Sequence, residues 1–376
     1  APGITWDENG LHLTNGQDFL NYWGAPRIAQ YDIHTLFAGR GYERALHQIY
    51  DQEFAQLRWS YPLHSLFFFA PFAAFSYTTA LALWMLLGLG LYTAMLWYCL
   101  PRVSRTYLTL WLFVSPIVMV ELLTRQNGFF IGAAALAVLL LLEKKRAVAA
   151  GILLGCLTIK PQLFILWPLM LLVEKQWRCM IAASLTTATL IGLSFVVHGL
   201  DAWQQWWAVV PDLQWRIISA EEFNESRKLT HLMMPGLMPS LHILGAPESI
   251  AKGVQWLVSI GVLVAVAFAL RRPRRFEQTV LLLASGGLLI SPYSFNYDMT
   301  FLCAGIVLWW AAHPRVTLYE TVLSGITYML PLLVYVLNVT DAPVAPIILI
   351  LVFSMILREI MHPPLREASV NGPTER

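Results

Sequence analysis

The first candidate for a catalytic residue is a carboxylate, Asp18, which lies between a glycine and a group of aromatic residues. Gly16 comes two positions before it, and Phe19, Tyr22 and Trp23 follow. Partial desolvation raises the proton affinity of a carboxylate, so a carboxylate beside aromatic rings suits a general base. The same pattern is typical of a helix start at which Asp18 is the N-cap. The sequence leaves both interpretations open.

Three short polar motifs with one cation each interrupt or border the apolar sequence. Their candidate residues are Arg58, Tyr61, Arg125, Gln126, Asn127, Lys160 and Gln162. A cation there can stabilise negative charge on a phosphate, which makes each motif a candidate site for an anionic lipid headgroup. As alternatives, Arg58 and Tyr61 are typical membrane-interface anchors, and Lys160 can extend its ammonium group to water.

Two later segments add further candidates. Tyr293, Asn296 and Asp298 lie in a polar turn between apolar stretches, where Asp298 is also a candidate N-cap for the next helix. His231 lies in a long polar segment. It is either a phosphate contact or a hydrogen-bonded structural residue.

Three tryptophans share one face of a helix in the same polar segment. Their positions, Trp203, Trp206 and Trp207, have helical spacing. Such a stripe is typical of a helix that lies at the membrane interface, and the alternative is a binding platform for a lipid or a sugar ring.

The composition requires a membrane around these motifs. The chain has 376 residues, of which 57% are hydrophobic and 13% are charged, and its net charge is +2. Soluble domains carry about 25% charged residues. The low net charge argues against nucleic acid as a partner. No nucleotide-binding loop or metal-ligand spacing is present, so we expect neither a metal nor a cofactor.

The sequence predicts about eleven membrane spans. They cover residues 77–100, 106–123, 128–142, 147–159, 163–173, 179–197, 254–270, 279–290, 299–312, 318–338 and 344–357. Several are shorter than the ~20 residues that cross a bilayer, which predicts broken or re-entrant helices inside a bundle.

Lysine and arginine alternate between successive loops and predict the orientation. The Lys- and Arg-rich loops are expected in the cytoplasm, together with the tail 358–376. The arm 1–61, which precedes the bundle 62–357, and the segment 198–251 within it then both face outward. Because eleven spans follow an outward arm, a cytoplasmic N-terminus predicts a twelfth span before residue 1.

Four short motifs together resemble a known family. They occur in the order Gly16-Gln17-Asp18-Phe19, Tyr61-Pro62, Gln126-Asn127-Gly128 and Lys160-Pro161. This order is similar to glycosyltransferase family 87, membrane enzymes of the GT-C superfamily, over roughly the first half of the chain.

The resemblance implies an all-α, polytopic transmembrane helix bundle of GT-C type with extracytoplasmic loop helices. It implies transfer of a sugar, usually mannose, from a polyprenyl phosphate to a glycolipid or glycan acceptor, with Asp18 as the catalytic base. Some members carry His soon after the motif that resembles Ser291-Pro292-Tyr293, whereas this chain has Asn296-Tyr297-Asp298. The contacts to the donor phosphate therefore stay open.

The expected location is the inner (plasma) membrane of a bacterium, with the active site facing the periplasm or the exterior. In-line attack on the donor predicts inversion at the anomeric carbon. A transporter or flippase of a lipid-linked sugar is the alternative function, since the short spans also suit a transporter. A non-catalytic membrane assembly protein is a third.

Overall fold

The computed structural model describes residues 3–7, 10–14, 18–50, 57–101, 105, 114–219 and 229–362. The chain is an all-α membrane bundle, as the sequence predicts. One short addition is a hairpin in which strand β1 (Gly3–Asp7) pairs antiparallel with β2 (Gly10–Thr14). The predicted span 106–123 falls partly outside the described residues, and the tail after residue 362 lies outside them entirely.

The described α-helices are numbered in chain order. They are α1 (Asp18–Ala29), α2 (Arg40–Ile49), α3 (Leu66–Ala73), α4 (Tyr77–Cys99), α5 (Pro116–Thr124), α6 (Gly128–Glu143), α7 (Ala147–Cys156), α8 (Leu166–Val173), α9 (Trp177–His198), α10 (Leu200–Ile218), α11 (Leu229–Leu232), α12 (Leu237–Ile243), α13 (Glu248–Ala269), α14 (Phe276–Ile290), α15 (Thr300–Ala312), α16 (Leu318–Val339) and α17 (Ala345–Met361). Short 3-10 helices cover Ile33–Phe37, Leu63–Ser65, Leu157–Ile159, Pro161–Phe164 and Asn296–Met299.

Within the residues that the structure describes, four helices are long and apolar enough to cross a membrane, namely α4, α9, α13 and α16. Helix α13 begins at Glu248, six residues before the predicted span, so the polar segment ends earlier than the sequence predicts. The aromatic and aliphatic faces of these helices remain exposed on the protein, as expected for surfaces that contact lipid.

The predicted broken helices occur around Lys160. Apolar sequence runs from Ala147 to Ile159 and again from Pro161 to Val173, with Lys160 at the interruption. The break follows from Pro161, because a residue before proline is disfavoured in helical conformation. Helix α7 packs tightly against α9, since a Cβ atom at Gly155 would lie 2.6 Å from Thr186.

The N-terminal arm packs on the bundle through aromatic rings. Tyr22 of α1 stacks on Phe69 of α3 with ring centroids 4.5 Å apart, and both rings contact Trp84 of α4. The Trp23 indole donates a hydrogen bond of 2.9 Å to the carbonyl of Phe75. These contacts hold the start of α1, and therefore Asp18, against the membrane helices.

Candidate active site

A cavity of about 490 Å³ lies where α1, α10 and the polar turns of the bundle meet. It is large enough for a sugar with its phosphate, since ligand cavities commonly measure about 300–1,000 Å³. Eight of the residues predicted from sequence line it. They are Asp18, Arg58, Tyr61, Gln126, Lys160, Gln162, Tyr293 and Asp298.

The Lys160 ammonium group is buried in this cavity wall and paired with a carboxylate. Its Nζ lies 2.7 Å from Asp298 Oδ1 and 4.9 Å from the centre of the Tyr297 ring. Only 5% of the Lys160 side chain and 1% of the Asp298 side chain are exposed. The predicted alternative in which Lys160 extends to water is therefore wrong, because a buried carboxylate already neutralises it.

Asp298 has a different structural role from the predicted N-cap. Its Oδ2 accepts a hydrogen bond of 3.0 Å from the backbone N–H of Phe295, and Asp298 is the third residue of the 3-10 helix Asn296–Met299. It therefore caps from inside the turn, while Met299 precedes α15. Both carboxylate oxygens have partners, which holds Asp298 in one orientation.

A chain of hydroxyl and amide groups forms the opposite wall. The Tyr22 and Tyr61 hydroxyls lie 2.7 Å apart, and the Tyr22 hydroxyl also donates to Gln126 Oε1. Burial raises the pKa of Tyr22 and that of Tyr61, so both side chains remain neutral hydrogen-bonding groups. The Trp84 indole fixes the same turn by donating to the Gln126 carbonyl at 3.1 Å.

Asp18 is the first residue of α1, so the helix begins where the sequence predicts, but Asp18 lies inside the first turn and the residue before it lies outside the described residues. A carboxylate there is favoured by the partial positive charge of the helix N-terminus. Tyr22 follows one helical turn later, so the two side chains reach the same cavity. The Asp18 carboxylate also interacts electrostatically with the Tyr61 and Tyr297 side chains that line the same cavity.

Arg58 lines the cavity near its edge. Its guanidinium group lies 3.2 Å from Glu43 of α2, and about a third of the side chain is exposed. Arg58 therefore joins α2 to the cavity wall while keeping part of its surface accessible.

The model of glycosyltransferase family 87 matches residues 59–292. This is more than half of the chain. The chain belongs to glycosyltransferase family 87. It is accordingly a membrane glycosyltransferase, and the family assignment favours an enzyme over a transporter. No curated protein and no solved structure matches it.

Only some of the cavity residues of this glycosyltransferase lie within the range that matches the family. Tyr61, Gln126 and Lys160 lie within the matched residues, whereas Asp18 and Asp298 lie outside them. The role of Asp18 therefore depends on its geometry in this chain and on the resemblance of its local motif.

Four predicted binding residues of the glycosyltransferase do not line this cavity. Arg125 has a left-handed backbone, and its side chain interacts electrostatically with Tyr77. The Asn127 side-chain amide donates a hydrogen bond of 3.5 Å to the Tyr61 hydroxyl. Asn296 donates to the Pro331 carbonyl at 2.9 Å, and His231 is buried. We assign these four residues no direct substrate contact.

Several cavity residues were not among the predicted binding residues. They include Asn21, Ser60, Gln214 and Tyr297. Trp206, from the tryptophan stripe predicted as an interface helix or a binding platform, lines the cavity as well. Trp206 lies on α10 and donates to the Tyr61 carbonyl at 2.8 Å, so the tryptophan stripe forms part of the cavity as well as an amphipathic helix. Trp207, by contrast, is 72% exposed.

Among the residues that the structure describes, no three His, Cys, Asp or Glu side chains are grouped to hold a metal ion. The absence of a metal from the reaction stays a prediction.

Proposed function

We propose that this glycosyltransferase transfers a hexose, mannose in the first instance, from a polyprenyl phosphate to an acceptor hydroxyl. The observation that carries the proposal is the cavity itself. It joins Asp18, a buried lysine and several aromatic side chains at a site among membrane helices. Aromatic faces suit the apolar face of a sugar ring, and a lysine suits a phosphate.

The donor phosphate would bind at the Lys160 side of the cavity. Because Lys160 is already paired with Asp298, the phosphate either shares the ammonium group or replaces the carboxylate. Gln162 and Arg58 line the same space and supply further hydrogen-bond donors. These donors would stabilise the charge that grows on the phosphate as it departs.

Asp18 would act as the base. The acceptor oxygen forms a bond to the anomeric carbon, its proton passes to the Asp18 carboxylate, and the bond from the anomeric carbon to the phosphate oxygen breaks with its electron pair on the phosphate. Attack opposite the leaving group inverts the anomeric centre. A β-linked donor would therefore give an α-linked product.

The positive-inside pattern supports an extracytoplasmic cavity. Helix α6 runs from the cavity to Glu143, and the Lys144-Lys145-Arg146 loop follows at the opposite end of the bundle. A donor anchored by a polyprenyl chain suits a cavity at the extracytoplasmic face, because the lipid anchor keeps the sugar at the membrane next to the cavity. The bacterial inner membrane is the proposed location.

The test uses purified protein in lipid vesicles with radiolabelled polyprenyl-phosphate mannose and a panel of glycolipid acceptors. We expect label to move to an acceptor while free polyprenyl phosphate is released in equal amount. The anomeric configuration of the product, measured by NMR, should be opposite to that of the donor.

Two controls separate the elements of the proposal. A nucleotide-linked mannose should give no transfer, and polyprenyl-phosphate glucose tests the choice of sugar. Transfer from the nucleotide sugar alone would overturn the lipid-linked donor, and retention of configuration would overturn direct attack.

A further inference from the structure

Gln126 lies in the cavity wall with one half of its side-chain amide engaged and the other half open. The residue lines the cavity and is only 6% exposed. Its Oε1 accepts a hydrogen bond from the Tyr22 hydroxyl, whereas its Nε2 has no hydrogen-bond partner among the residues that the structure describes. A buried amide nitrogen without a partner costs free energy, so this group is suited to a ligand atom that accepts a hydrogen bond.

The hydrogen-bond chain beside Gln126 determines which end of the amide is left for a ligand. The Tyr22 hydroxyl has a single proton, which it donates to Gln126 Oε1. The Tyr61 hydroxyl, 2.7 Å away, therefore donates to the Tyr22 oxygen, and it accepts from the Asn127 side-chain amide at 3.5 Å. Every donor in this chain points towards Gln126. Its oxygen is thus occupied, and Gln126 offers the cavity N–H donors alone.

The backbone of Gln126 is held by the same aromatic cluster. The Trp84 indole donates a hydrogen bond of 3.1 Å to the Gln126 carbonyl, and the Trp84 and Tyr22 ring centroids lie 5.2 Å apart. The amide cannot turn round without the loss of a buried hydrogen bond to its oxygen. Gln126 therefore presents a donor that is already oriented before a ligand binds.

The surroundings of this donor favour a sugar hydroxyl over the phosphate. Lys160 and Arg58 supply the cavity with charged donors, which form the stronger hydrogen bonds to a phosphate. Gln126 instead shares its wall with Tyr22 and Tyr61, whose aromatic rings suit the apolar face of a sugar. A neutral N–H donor beside aromatic rings matches a neutral hydroxyl oxygen on the sugar ring.

We propose that Gln126 is a specificity-determining residue of the glycosyltransferase, whose Nε2 donates a hydrogen bond to one hydroxyl oxygen of the transferred sugar. This inference rests on the proposed function, because it names what the same cavity recognises in the lipid-linked donor. A site built to hydrogen-bond a hydroxyl group rejects an analogue without it, since the buried donor is then left unpaired. The oriented amide therefore selects among sugars by the position of one oxygen.

The test combines donor analogues with a substitution at Gln126. Each analogue is polyprenyl-phosphate mannose that lacks one hydroxyl of the sugar, assayed in lipid vesicles. For the wild type, we expect one analogue to lose about tenfold or more in kcat/KM relative to the intact donor. Gln126→Met has a similar length without hydrogen-bonding groups, so it should distinguish that analogue from the intact donor by less than threefold. This loss of discrimination reports direct contact, because a merely structural change lowers kcat/KM for both donors alike.

A conservative variant and a matched control complete the series. Gln126→Asn keeps the amide and withdraws it by one methylene, so its discrimination should fall between those of the wild type and Gln126→Met. If Gln126→Met does not fold, Gln126→Asn carries the comparison. Gln176→Met makes the same exchange in the cavity at the other end of the bundle and should keep the wild-type discrimination within twofold.

The outcomes distinguish this inference from the proposed function. Wild-type discrimination in Gln126→Met would overturn the sugar contact. An equal loss with every donor, together with weaker binding of polyprenyl phosphate alone, would assign Gln126 to the phosphate and overturn it as well. A wild type that transfers mannose but accepts every analogue equally would overturn the inference and leave the proposed function standing. A wild type that neither binds nor transfers any lipid-linked sugar would overturn the proposed function itself.

Discussion

The two ends of the bundle each hold a cavity with an ion pair, but they differ in how fully the pair is removed from water. At the candidate active site, Lys160 and Asp298 are 5% and 1% exposed. At the other end, a cavity of about 310 Å³ contains Arg274 beside Glu174, with 10% and 25% exposure. Charge–charge interaction strengthens as water is excluded, so the first pair is the more tightly coupled.

The walls of the two cavities differ in the same direction. Tyrosine and tryptophan side chains line the first cavity together with charged residues such as Arg58 and Arg216. The described residues that line the second cavity include no tyrosine or tryptophan, and Arg272, Glu143 and Gln176 come from loops or helix ends. Lys- and Arg-rich loops are the general signal that orients membrane proteins, and they need no buried ion pair for that role. The two cavities therefore differ in their aromatic walls and in the burial of the ion pair, whereas both contain further charged residues.

The largest expected effect is at Asp18. Asp18→Asn removes the proposed base and should lower kcat about a thousandfold, since general-base catalysis contributes about 10²–10⁴. Donor binding, measured by titration with the lipid phosphate, should persist. Asp32→Asn is the matched control, because Asp32 caps a 3-10 helix in the same arm at the surface. Near-wild-type turnover in Asp18→Asn would exclude Asp18 as the base.

The next effect is at the buried pair. Lys160→Met leaves the Asp298 charge without its partner, which should lower stability by about 3–5 kcal/mol and weaken donor affinity. Adding Asp298→Asn should recover stability but not donor binding, because the second change removes the stranded charge. Thermal unfolding in detergent and the donor titration measure the two quantities. A stable Lys160→Met protein with normal donor affinity would contradict both roles.

A smaller effect is expected in the hydroxyl chain. Tyr22→Phe removes two hydrogen bonds and leaves Gln126 Oε1 without its donor, so stability should fall by about 1–3 kcal/mol and turnover should fall with it. Tyr92→Phe is the control, since its hydroxyl donates to the Thr300 carbonyl away from the cavity. It should lose stability without losing turnover per folded molecule. Equal turnover losses would show that the effect is not local.

The smallest effect on activity is expected at the opposite end. Glu174→Gln weakens the pair with Arg274 and should lower stability by about 1 kcal/mol, because the pair is only partly shielded. Turnover and donor affinity should stay within twofold of the wild type. A tenfold loss of turnover would remove the distinction between the two ends.

The pattern of apolar stretches and polar motifs was sufficient to predict the helical class, the polar turns and the break before Pro161, because each depends on local composition. It also identified Asp18 and Lys160 as residues of interest. The ion pair of Lys160 with Asp298 could not be predicted, since 138 positions separate the two residues. Only the packing of α14 and α15 against the broken helix brings them together.

Glu121 illustrates a signal that sequence analysis can miss. A carboxylate inside an apolar stretch is a marker of function or of a buried partner. Its side chain lies against Gly128 at the start of α6, and no local pattern of residue types specifies that contact. The opposite error occurs at Arg125, Asn127, His231 and Asn296, which were predicted to bind substrate but do not line the cavity. A polar turn specifies a location along the chain and not the direction of a side chain.

The broken helices have a consequence for how deep the site lies. Residues Ala147–Ile159 and Pro161–Val173 form two arms of thirteen residues that meet at Lys160. Each arm is about 20 Å long at helical rise. The hydrocarbon layer is about 30 Å thick. With the far ends of both arms at one surface of this layer, we expect Lys160 to lie roughly 10 Å below the other surface. The thickness of the surrounding bilayer would then set how far a tethered headgroup must descend to reach it.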